Sequence, residues 1–369
     1  KWTSCDKCFP SKFDPYCVYI VYSCCPGFRK MTMHSILRRT QLTSKRIYCL
    51  VVCVVILGMC LVFYSKQPAL FITPTYGWDQ PAKDVPISDH GDSFVPNFVH
   101  FVKLGDAPLS FIEVVCIRAA WLQQSPAMLM IHCDVCNSIV ESPHWRHVKD
   151  IPRLSLRYVE RPKTIFGTKV SWIQHASDIV RIRILRKYGG TYLDKDSYLI
   201  KSLDKYRRYE AAIGWPPGQN IGSQVIVGHK QSEFLRLYYE SYHKYRPDLW
   251  YYNAGQLPTK EILGPKPHLV HRVPHDFGVH EDITKLLYMQ CNDDWRNYTA
   301  VHTFFRLRTH YCPSDKFGPV DFDTIGKYAT NFGQMARLVL TGSTKLGEST
   351  VKNITLLDAR NLDYSQGCR

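Results

Sequence analysis

The sequence predicts an α/β fold in which a mostly parallel sheet is flanked by helices. Apolar, strand-like patterns occupy residues 94–104 and 127–132, and a helical pattern lies between them over roughly 109–124. A further apolar stretch follows at 154–159. Strands that alternate with helices are typical of parallel sheets covered on both faces. Ligands of such sheets bind at the carboxyl ends of the strands, so a site is expected there.

The second half of the chain continues this pattern. A long helix is predicted over 172–188 because its apolar residues recur at helical spacing and Gly189-Gly190 follows at once. A short strand-like segment with two aspartates comes next, at 191–200. The remaining predicted elements are a strand at 223–228, a helix over about 231–245, and apolar pieces at 268–273 and 300–305.

An uncharged apolar run, Ile47–Tyr64, predicts one N-terminal transmembrane helix. Four basic residues precede the run and only Lys66 follows closely, which predicts a cytosolic N-terminus and a luminal remainder. A cleaved signal peptide is the alternative, but the run ends in large residues rather than at a small-residue cleavage site. A buried core helix is disfavoured because the run has no polar face.

The predicted organisation follows from this anchor and from composition. A hypothesis adds that residues 1–30 are upstream sequence and that the natural chain begins at Met31 or Met33. The Pro- and Gly-containing stretch after the anchor is typical of a stem. The predicted segments are a cytosolic tail at 1–46, the anchor at 47–64, a luminal stem at 65–94, a catalytic domain at 95–320 and a C-terminal extension at 321–369.

Cysteines and sequons agree with a luminal, oxidising location. An even number of cysteines in the predicted luminal part allows up to three disulfides without fixing their connectivity. These residues are Cys116, Cys133, Cys136, Cys291, Cys312 and Cys368. Asn297 and Asn353 each begin an Asn-x-Thr sequon and are predicted glycosylation sites.

The net charge of +15 favours anionic partners in general. The basic residues are spread over the whole chain, and no zinc-finger, homeodomain or RNP pattern accompanies them. This distribution disfavours nucleic acid as a partner. The oligomeric state stays open.

Asp194-Lys195-Asp196 places two carboxylates where they can approach one ion. Mn²⁺ and Mg²⁺ prefer oxygen ligands, and substrate phosphates commonly complete their coordination shell. A cation held in this way would neutralise a leaving diphosphate. An isolated Asp-x-Asp is more often a solvated turn, so the surrounding residues decide the interpretation.

Those surrounding residues form a longer pattern. Ser177-Asp178-Ile179-Val180-Arg181 precedes Tyr188-Gly189-Gly190-Thr191-Tyr192-Leu193-Asp194-Lys195-Asp196 by a short interval. The pattern resembles the signature of the DXD glycosyltransferases that include yeast initiating mannosyltransferases and animal α1,4-galactosyl- and α1,4-N-acetylglucosaminyltransferases, a family 32-like group. The resemblance covers roughly residues 95–305 and is most specific over 173–204.

The resemblance implies a fold, an activity and residue roles. The fold would be a GT-A-type, Rossmann-like sheet, and the enzyme would move a hexose or N-acetylhexosamine from a nucleotide sugar to a glycan, glycolipid or glycoprotein acceptor, with retention of configuration. Mn²⁺ or Mg²⁺ would be the cofactor, and UDP-linked donors are favoured over GDP-linked ones. The anchor and the cysteines suit a Golgi type II membrane protein with a luminal catalytic domain.

Roles carry over by position in the motif. Asp194 and Asp196 would hold the metal, Asp194 would also lie near the ribose, and Asp178 and Arg181 would bind donor-sugar hydroxyls. Tyr192 would line the nucleotide site, and the strand at His100 to Val102 would form the base pocket. His302 would meet the metal or the diphosphate, although Thr303-Phe304-Phe305-Arg306 after it departs from the family pattern. Asn220 is a further candidate for substrate binding, either as part of the donor site or on the acceptor side. The catalytic set is therefore predicted to be Asp178, Arg181 and Asp196.

Two other classes compete with this interpretation. A phosphotransferase of the haloacid-dehalogenase type also uses Asp-x-Asp, but there the first aspartate ends a strongly apolar strand, whereas Gly-Gly-Thr-Tyr-Leu precedes Asp194. A membrane-anchored transferase fold that binds glycans without turnover is the non-enzymatic alternative. Taken without the motif, Asp178 and Arg181 would be an exposed ion pair worth about 0.2–0.5 kcal/mol.

Overall fold

The structure is a computed structural model in which the chain separates into two compact units, Lys1–Ala69 and Leu70–Arg369. The residues that it describes all belong to the second unit and are 73–74, 94–312, 319–347, 354–365 and 367. The predicted cytosolic tail and anchor lie outside these residues, as does most of the predicted stem. None of the helices in the described ranges combines the length and the apolarity that a bilayer crossing requires.

An eight-stranded, mostly parallel sheet forms the centre of the second unit. Only the two pairs made by the sixth strand in its spatial order, with its neighbours on either side, are antiparallel. In that order the strands are β1 (Thr73–Pro74), β4 (Leu154–Tyr158), β3 (Met128–Cys133), β2 (Phe98–Lys103), β7 (Gly190–Leu193), β10 (Gly222–Gly228), β9 (Ala211–Gly214) and β11 (His271–Val273). The predicted mostly parallel α/β architecture is confirmed.

Two smaller sheets accompany the central one. The first contains β12 (Phe277–Gly278), β13 (Ala300–His302) and β8 (Ser197–Leu199), and the second is the hairpin of β5 (Thr164–Ile165) and β6 (Thr168–Lys169). Strand β13 runs antiparallel to β8, with His302 opposite Ser197. This register brings His302 beside the end of the Asp194-Lys195-Asp196 turn.

Helices cover both faces of the central sheet. They are α1 (Phe111–Gln124), α2 (Asn137–Val140), α3 (Ile173–Tyr188), α4 (Glu233–Glu240), α5 (Ile283–Met289), α6 (Arg308–Tyr311) and α7 (Asn331–Thr341). The helices predicted at 109–124 and 172–188 thus begin and end within two residues of α1 and α3. The helix predicted over 231–245 is shorter as α4, and a 3₁₀ turn at Ser241–Lys244 continues it.

Alternating side chains divide the core into two apolar clusters, one on each side of the sheet. Val99 and Phe101 of β2 belong to the cluster that contains α1 and α7, whereas Phe98 and Val102 belong to the one that contains α3 and α4. Successive residues of a strand point to opposite faces, so a strand that is apolar throughout must be buried on both. This explains why the β2 segment has no polar alternation.

The Gly189-Gly190 pair makes the tight connection between α3 and β7. Both residues have positive φ, at 67° and 114°, a region that side chains with a Cβ rarely adopt. A Cβ on Gly190 would lie 2.8 Å from the Phe98 carbonyl oxygen and 2.9 Å from His100 Nε2. The turn therefore needs glycine both for its backbone angles and for its contact with β2.

The part of the chain after residue 320, which shows no clear sequence pattern, contributes a buried helix. Helix α7 packs against α1, and Phe332, Met335 and Val339 are fully buried there. Arg118 of α1 donates hydrogen bonds to the Val339 carbonyl oxygen at 2.7 Å and to the Thr355 carbonyl oxygen. The C-terminal segment thus completes one face of the core.

Candidate active site

The Asp194-Lys195-Asp196 turn joins β7 of the central sheet to β8. Its backbone is fixed on two sides, because Asp194 donates its N–H to the Gln224 carbonyl at 2.8 Å and Ser197 donates to the Asp194 carbonyl at 2.7 Å. Thr303 also donates its N–H to the Asp196 carbonyl at 2.9 Å. Both carboxylates are therefore carried by a rigid turn at the carboxyl end of a strand, where ligands of such sheets bind.

His302 completes a three-residue cluster with the two aspartates. Its Nε2 lies 3.1 Å from Asp196 Oδ1 and 3.9 Å from Asp194 Oδ2. One ligand atom from each of the three residues lies within 4.8 Å of the others. The His302 Nδ1 is buried and has no hydrogen-bond partner among the described residues. Two carboxylate oxygens and an imidazole nitrogen suit a divalent cation such as Mn²⁺, so the residues present fit the predicted cofactor.

Asp196 and His302 stabilise each other's charged forms. Burial raises the pKa of Asp196, but His302, Arg306 and Lys195 together outweigh burial and hold that pKa below its ordinary value. Burial likewise opposes the charged form of His302, and the carboxylates of Asp196 and Asp194 raise its pKa above the ordinary value. In this arrangement the imidazolium occupies the position of positive charge that a bound cation would take.

Asp178 and Arg181 form a buried pair next to the cluster, not an exposed one. Arg181 Nη2 lies 2.7 Å from Asp178 Oδ1 and 3.1 Å from Asp194 Oδ1. Its Nη1 donates to the Ser223 carbonyl at 2.9 Å and to the Ser223 hydroxyl at 2.7 Å. The interpretation as a solvated surface pair is therefore wrong, because both side chains are buried and Arg181 links α3 to the Asp194–Asp196 turn.

Burial raises the pKa of Asp178, and Asp194 adds to this, while Arg181 opposes it. Burial alone would lower the pKa of Arg181, but Asp194, Tyr192 and Asp178 raise it well above the ordinary value. The Tyr192 hydroxyl donates to Asp194 Oδ1 at 2.6 Å, and the Arg181 guanidinium lies 4.7 Å from the centre of the Tyr192 ring. Arg181 and Tyr192 thus fix one oxygen of Asp194 and leave the other facing His302.

Lys195, the middle residue of the turn, is tied to the start of α1. Its Nζ lies 3.0 Å from Glu113 Oε1, and Lys103 Nζ lies 3.1 Å from the same oxygen. Glu113 is also half of a capping box, since its carboxylate accepts the backbone N–H of Ser110 at 2.7 Å. The capping box that begins α1 therefore also restrains the Asp194–Asp196 turn, through the contact of Glu113 with Lys195.

A cavity of about 280 Å³ opens over these residues. The structure brings seven predicted site residues to its wall, namely Val102, Asp178, Arg181, Tyr192, Asp194, Asp196 and His302. Lys195, Trp250, Tyr251, Phe304 and Arg306 also line it. The Ser110-x-x-Glu113 pattern is typical of a capping box, but no sequence signal predicts that Glu113 contacts Lys195 or that Arg306 faces the cavity.

Two predicted donor residues do not reach this cavity. His100 is fully buried, and its ring nitrogens lie 2.8 Å from the Gly189 carbonyl oxygen and 3.1 Å from His132 Nε2. Asn220 lies in the loop before β10 and is not part of the cavity wall. On β2, side chains alternate between faces, and the cavity wall receives Val102.

The predicted glycosylation sites and cysteines lie elsewhere. Asn297 is exposed at the end of a 3₁₀ turn, and Asn353 lies outside the described residues. Cys133 and Cys136 form a disulfide, which accounts for this pair without zinc. Cys291 is also disulfide-bonded, whereas Cys116 and Cys312 are buried free thiols.

Part of the site lies in a region that matches a known protein family. Residues 113–213 match the family model described as "Glycosyltransferase sugar-binding region containing DXD motif". The match contains Asp178, Arg181, Asp194 and Asp196 and ends before His302.

Two curated proteins are similar to parts of the chain. Glucan organizing enzyme 1 of Cryptococcus neoformans is 23% identical over 175 residues, which are 42% of this chain and 46% of that protein. An uncharacterized protein of Arabidopsis thaliana is 29% identical over 129 residues, or 30% of this chain and 20% of that one. The chain thus spans less than half the length of these curated relatives.

Solved structures of glycosyltransferases resemble the chain more distantly. The galactosyltransferase LgtC, solved with donor and acceptor sugar analogs, is 13% identical with a TM-score of 0.37, covering 68% of this chain and 98% of that one. The PaToxG glycosyltransferase is 14% identical with a TM-score of 0.35, covering 47% of this chain and 70% of that one.

Proposed function

We propose that this chain, which contains a DXD-motif glycosyltransferase region at residues 113–213, moves a hexose or N-acetylhexosamine from a nucleotide sugar to a glycan, glycolipid or glycoprotein. The observation that carries the proposal is the meeting of Asp194, Asp196 and His302 at one cavity with the buried Asp178–Arg181 pair. Such a transfer requires a group of side chains that can hold a divalent cation, next to hydrogen-bonding groups suited to a sugar.

Asp194, Asp196 and His302 would hold Mn²⁺ or Mg²⁺. The bound ion would supply Lewis-acid neutralisation of the leaving nucleoside diphosphate. The chain's own residues prepare this site. Tyr192 and Arg181 orient Asp194, while the Thr303 and Ser197 backbone bonds fix the turn. Pre-oriented ligands lose little freedom on binding, which favours affinity.

Asp178 and Arg181 would orient the donor sugar. A carboxylate accepts hydrogen bonds from hydroxyl groups and a guanidinium donates them, so the pair offers both partners that a pyranose needs. Because both side chains are buried, their bonds to the sugar would form away from bulk water, where they are stronger. Arg181 donates hydrogen bonds to Ser223 and pairs with Asp194, and these contacts hold the pair in place before the donor arrives.

Transfer would proceed with retention. The bond between the anomeric carbon and the diphosphate oxygen breaks with its electron pair left on that oxygen. The acceptor oxygen bonds to the same face of the carbon, and its proton passes to the leaving diphosphate. This route needs no protein nucleophile, which suits a cavity whose carboxylates already serve the cation or Arg181. The family resemblance supports it.

The donor base and the location are part of the same proposal. A UDP-linked donor and a luminal Golgi site, with a type II anchor at 47–64, fit the basic residues before the apolar run, the predicted luminal cysteines and both sequons.

The first experiment is a thermal-shift panel on the full chain with UDP, GDP and their sugar conjugates, each with and without Mn²⁺. Binding to the folded state adds RT ln(1 + [L]/Kd), or about 2.7 kcal/mol at a hundredfold excess over Kd. A Mn²⁺-dependent shift with one nucleotide, together with release of that nucleotide from its sugar conjugate, is expected. A shift without any turnover would favour the glycan-binding, inactive alternative, and no shift from folded protein would overturn the donor site.

Asp196→Asn tests the metal cluster directly. We expect transfer and donor hydrolysis to fall by more than about a hundredfold, because even outer partners of metal ligands are worth about ten- to a hundredfold. Asp194→Asn should behave similarly. The control Asp106→Asn removes an exposed carboxylate outside the cavity wall and should keep activity. Near wild-type rates for Asp196→Asn with Mn²⁺ would show that the cluster does not hold the metal.

A further inference from the structure

Two tryptophans form an exposed aromatic edge at the mouth of the cavity. Trp172 and Trp250 are 48% and 55% exposed, and their rings meet edge to face with centroids 5.5 Å apart. Trp250 and the neighbouring Ile173 line the cavity itself. Single exposed apolar residues are common, but a contiguous group at the entrance of a polar cavity is not. We call Trp172, Ile173 and Trp250 the tryptophan rim.

Hydrogen bonds anchor the rim to its surroundings. His175 is buried on α3, and its Nε2 lies 3.1 Å from the Trp250 carbonyl oxygen while its Nδ1 lies 2.6 Å from the Tyr245 hydroxyl. The Trp172 indole N–H donates to the Pro247 carbonyl at 3.0 Å. The Trp172 indole is thus held through its N–H, and the Trp250 indole packs against it on a backbone that His175 holds, so a ligand would have less to order.

Polar groups continue the rim towards the metal cluster. Gln174 and Ser177 lie on the cavity-facing side of α3, between Ile173 and the Asp178–Arg181 pair. The Gln174 amide has no hydrogen-bond partner among the described residues, and it offers both donors and an acceptor to the cavity. An aromatic face beside an open amide matches a pyranose ring, which has one apolar face and hydroxyl groups at its edge.

The position of the rim suits the second substrate better than the donor. The donor's diphosphate and sugar need the charged groups around Asp194 and Arg181. Arg181 lies eight positions after Ile173 on α3, which is about 12 Å along the helix axis at 1.5 Å per residue. That distance leaves space for the donor sugar between the charged groups and the rim.

We propose that the tryptophan rim and Gln174 form the acceptor subsite, which binds a neutral pyranose of the acceptor glycan by stacking on Trp250. The proposal rests on the function proposed above and names the acceptor class as an uncharged glycan. The cavity-facing side of the indole provides the stacking surface, and Gln174 bonds the ring hydroxyls.

Saturation-transfer NMR on the full chain tests the subsite with lactose, cellobiose and maltose as probes. We expect at least one disaccharide to receive saturation on a single ring. Trp250→Ala should weaken this binding at least about tenfold, because it removes the aromatic face on which the pyranose stacks. Trp250→Phe should restore part of it. The control Leu249→Ala changes an exposed neighbour that does not line the cavity and should bind like the wild type.

A thermal shift with UDP and GDP in Mn²⁺ on the same variants separates the two proposals. The nucleotide shift should be unchanged in Trp250→Ala. Loss of that shift would assign the rim to the nucleobase and overturn the acceptor subsite, as would disaccharide binding that is absent from the wild type or insensitive to Trp250→Ala. Rim-dependent disaccharide binding without any nucleotide shift in the wild type would support the subsite while refuting the proposed transfer.

Discussion

Arg306 faces the cavity without an ion pair in the described part of the chain. The other basic side chains of the cavity wall are paired, Lys195 with Glu113 and Arg181 with Asp178. An exposed guanidinium near a predicted diphosphate site is well placed to bind phosphate oxygens, which it can do with two parallel hydrogen bonds.

Arg306→Gln should therefore weaken UDP binding in Mn²⁺ by roughly ten- to a hundredfold, since a hydrogen bond to a charged group contributes about 1.5–3 kcal/mol. Uridine, which has no phosphate, should bind equally to both proteins. Calorimetric titration measures both affinities. Arg208→Gln removes the same charge at an exposed position outside the cavity wall, and an equal loss in that control would mean that only overall charge matters.

His100 has a structural role that its sequence context did not reveal. Burial lowers the pKa of His100 to about 4, partly offset by the Gly189 carbonyl. Burial also lowers the pKa of its neighbour His132 well below the usual range, and Arg157 lowers both. The pair is therefore neutral in the folded protein at neutral pH.

Because His100 is protonated in the unfolded chain below about pH 6.5, it contributes to the pH dependence of the free energy of unfolding. Because the folded pKa is lower than the unfolded one, the unfolded state binds more protons between about pH 6.5 and 4, and stability decreases as pH falls through this window. His100 alone accounts for about 3 kcal/mol across it. Urea unfolding at several pH values should show a flatter dependence for His100→Gln. The exposed His268→Gln should leave the slope unchanged, and equal slopes in both variants would contradict the assignment.

At the scale of elements, the connection from α3 to β7 determines where both halves of the site lie. Helix α3 carries Asp178 and Arg181, and β7 leads into the Asp194–Asp196 turn. Any shift between the two elements would separate Arg181 from Asp194. Gly189 and Gly190 allow the direct turn that keeps the two elements in register.

Gly190→Ala should destabilise the fold more than Gly218→Ala. Both glycines have positive φ, so each substitution introduces backbone strain of about 1–3 kcal/mol. A Cβ at Gly218 meets nothing within 4 Å, whereas one at Gly190 meets the Phe98 carbonyl and His100. The free energies of unfolding obtained from urea titrations should therefore differ between the two variants by at least about 1 kcal/mol. Equal midpoints would show that β2 yields without loss of stability.

At the scale of the whole molecule, the C-terminal segment and α1 depend on each other. The buried Arg337 of α7 donates to the Tyr328 carbonyl at 2.8 Å and to the Thr344 carbonyl at 2.9 Å. Helix α1 in turn packs on β8, which directly follows the Asp194–Asp196 turn. The extension thus supports the site through the core, although none of its described residues lines the cavity.

A version of the chain that ends at residue 320 should not fold, because it would expose the α1 face that buries Phe332 and Met335. Limited proteolysis should digest it rapidly, and its thermal unfolding should lose the single sharp transition. A version that lacks only residues 1–69 leaves the second unit whole and should resist digestion. Cooperative unfolding of the version that ends at 320 would show that the extension is dispensable.

The sequence alone determined much of the framework. The apolar texture at 94–104 and 127–132 predicted strands because both faces of a central strand are buried. The spacing of Asp178 and Arg181 predicted that they share a helix face, and the Asp-x-Asp pattern predicted two converging carboxylates. These features depend on neighbours within a few residues, so local periodicity is enough to reveal them.

Only the tertiary structure decided which distant residues join them. The antiparallel register of β13 with β8 places His302 beside Asp196, and the packing of α1 brings Glu113 to Lys195. The same packing buries His100 away from the cavity and leaves Arg306 and Trp250 facing it. Strand register and the rotation of a helix on the sheet set these contacts, and both are determined by the whole core rather than by local sequence.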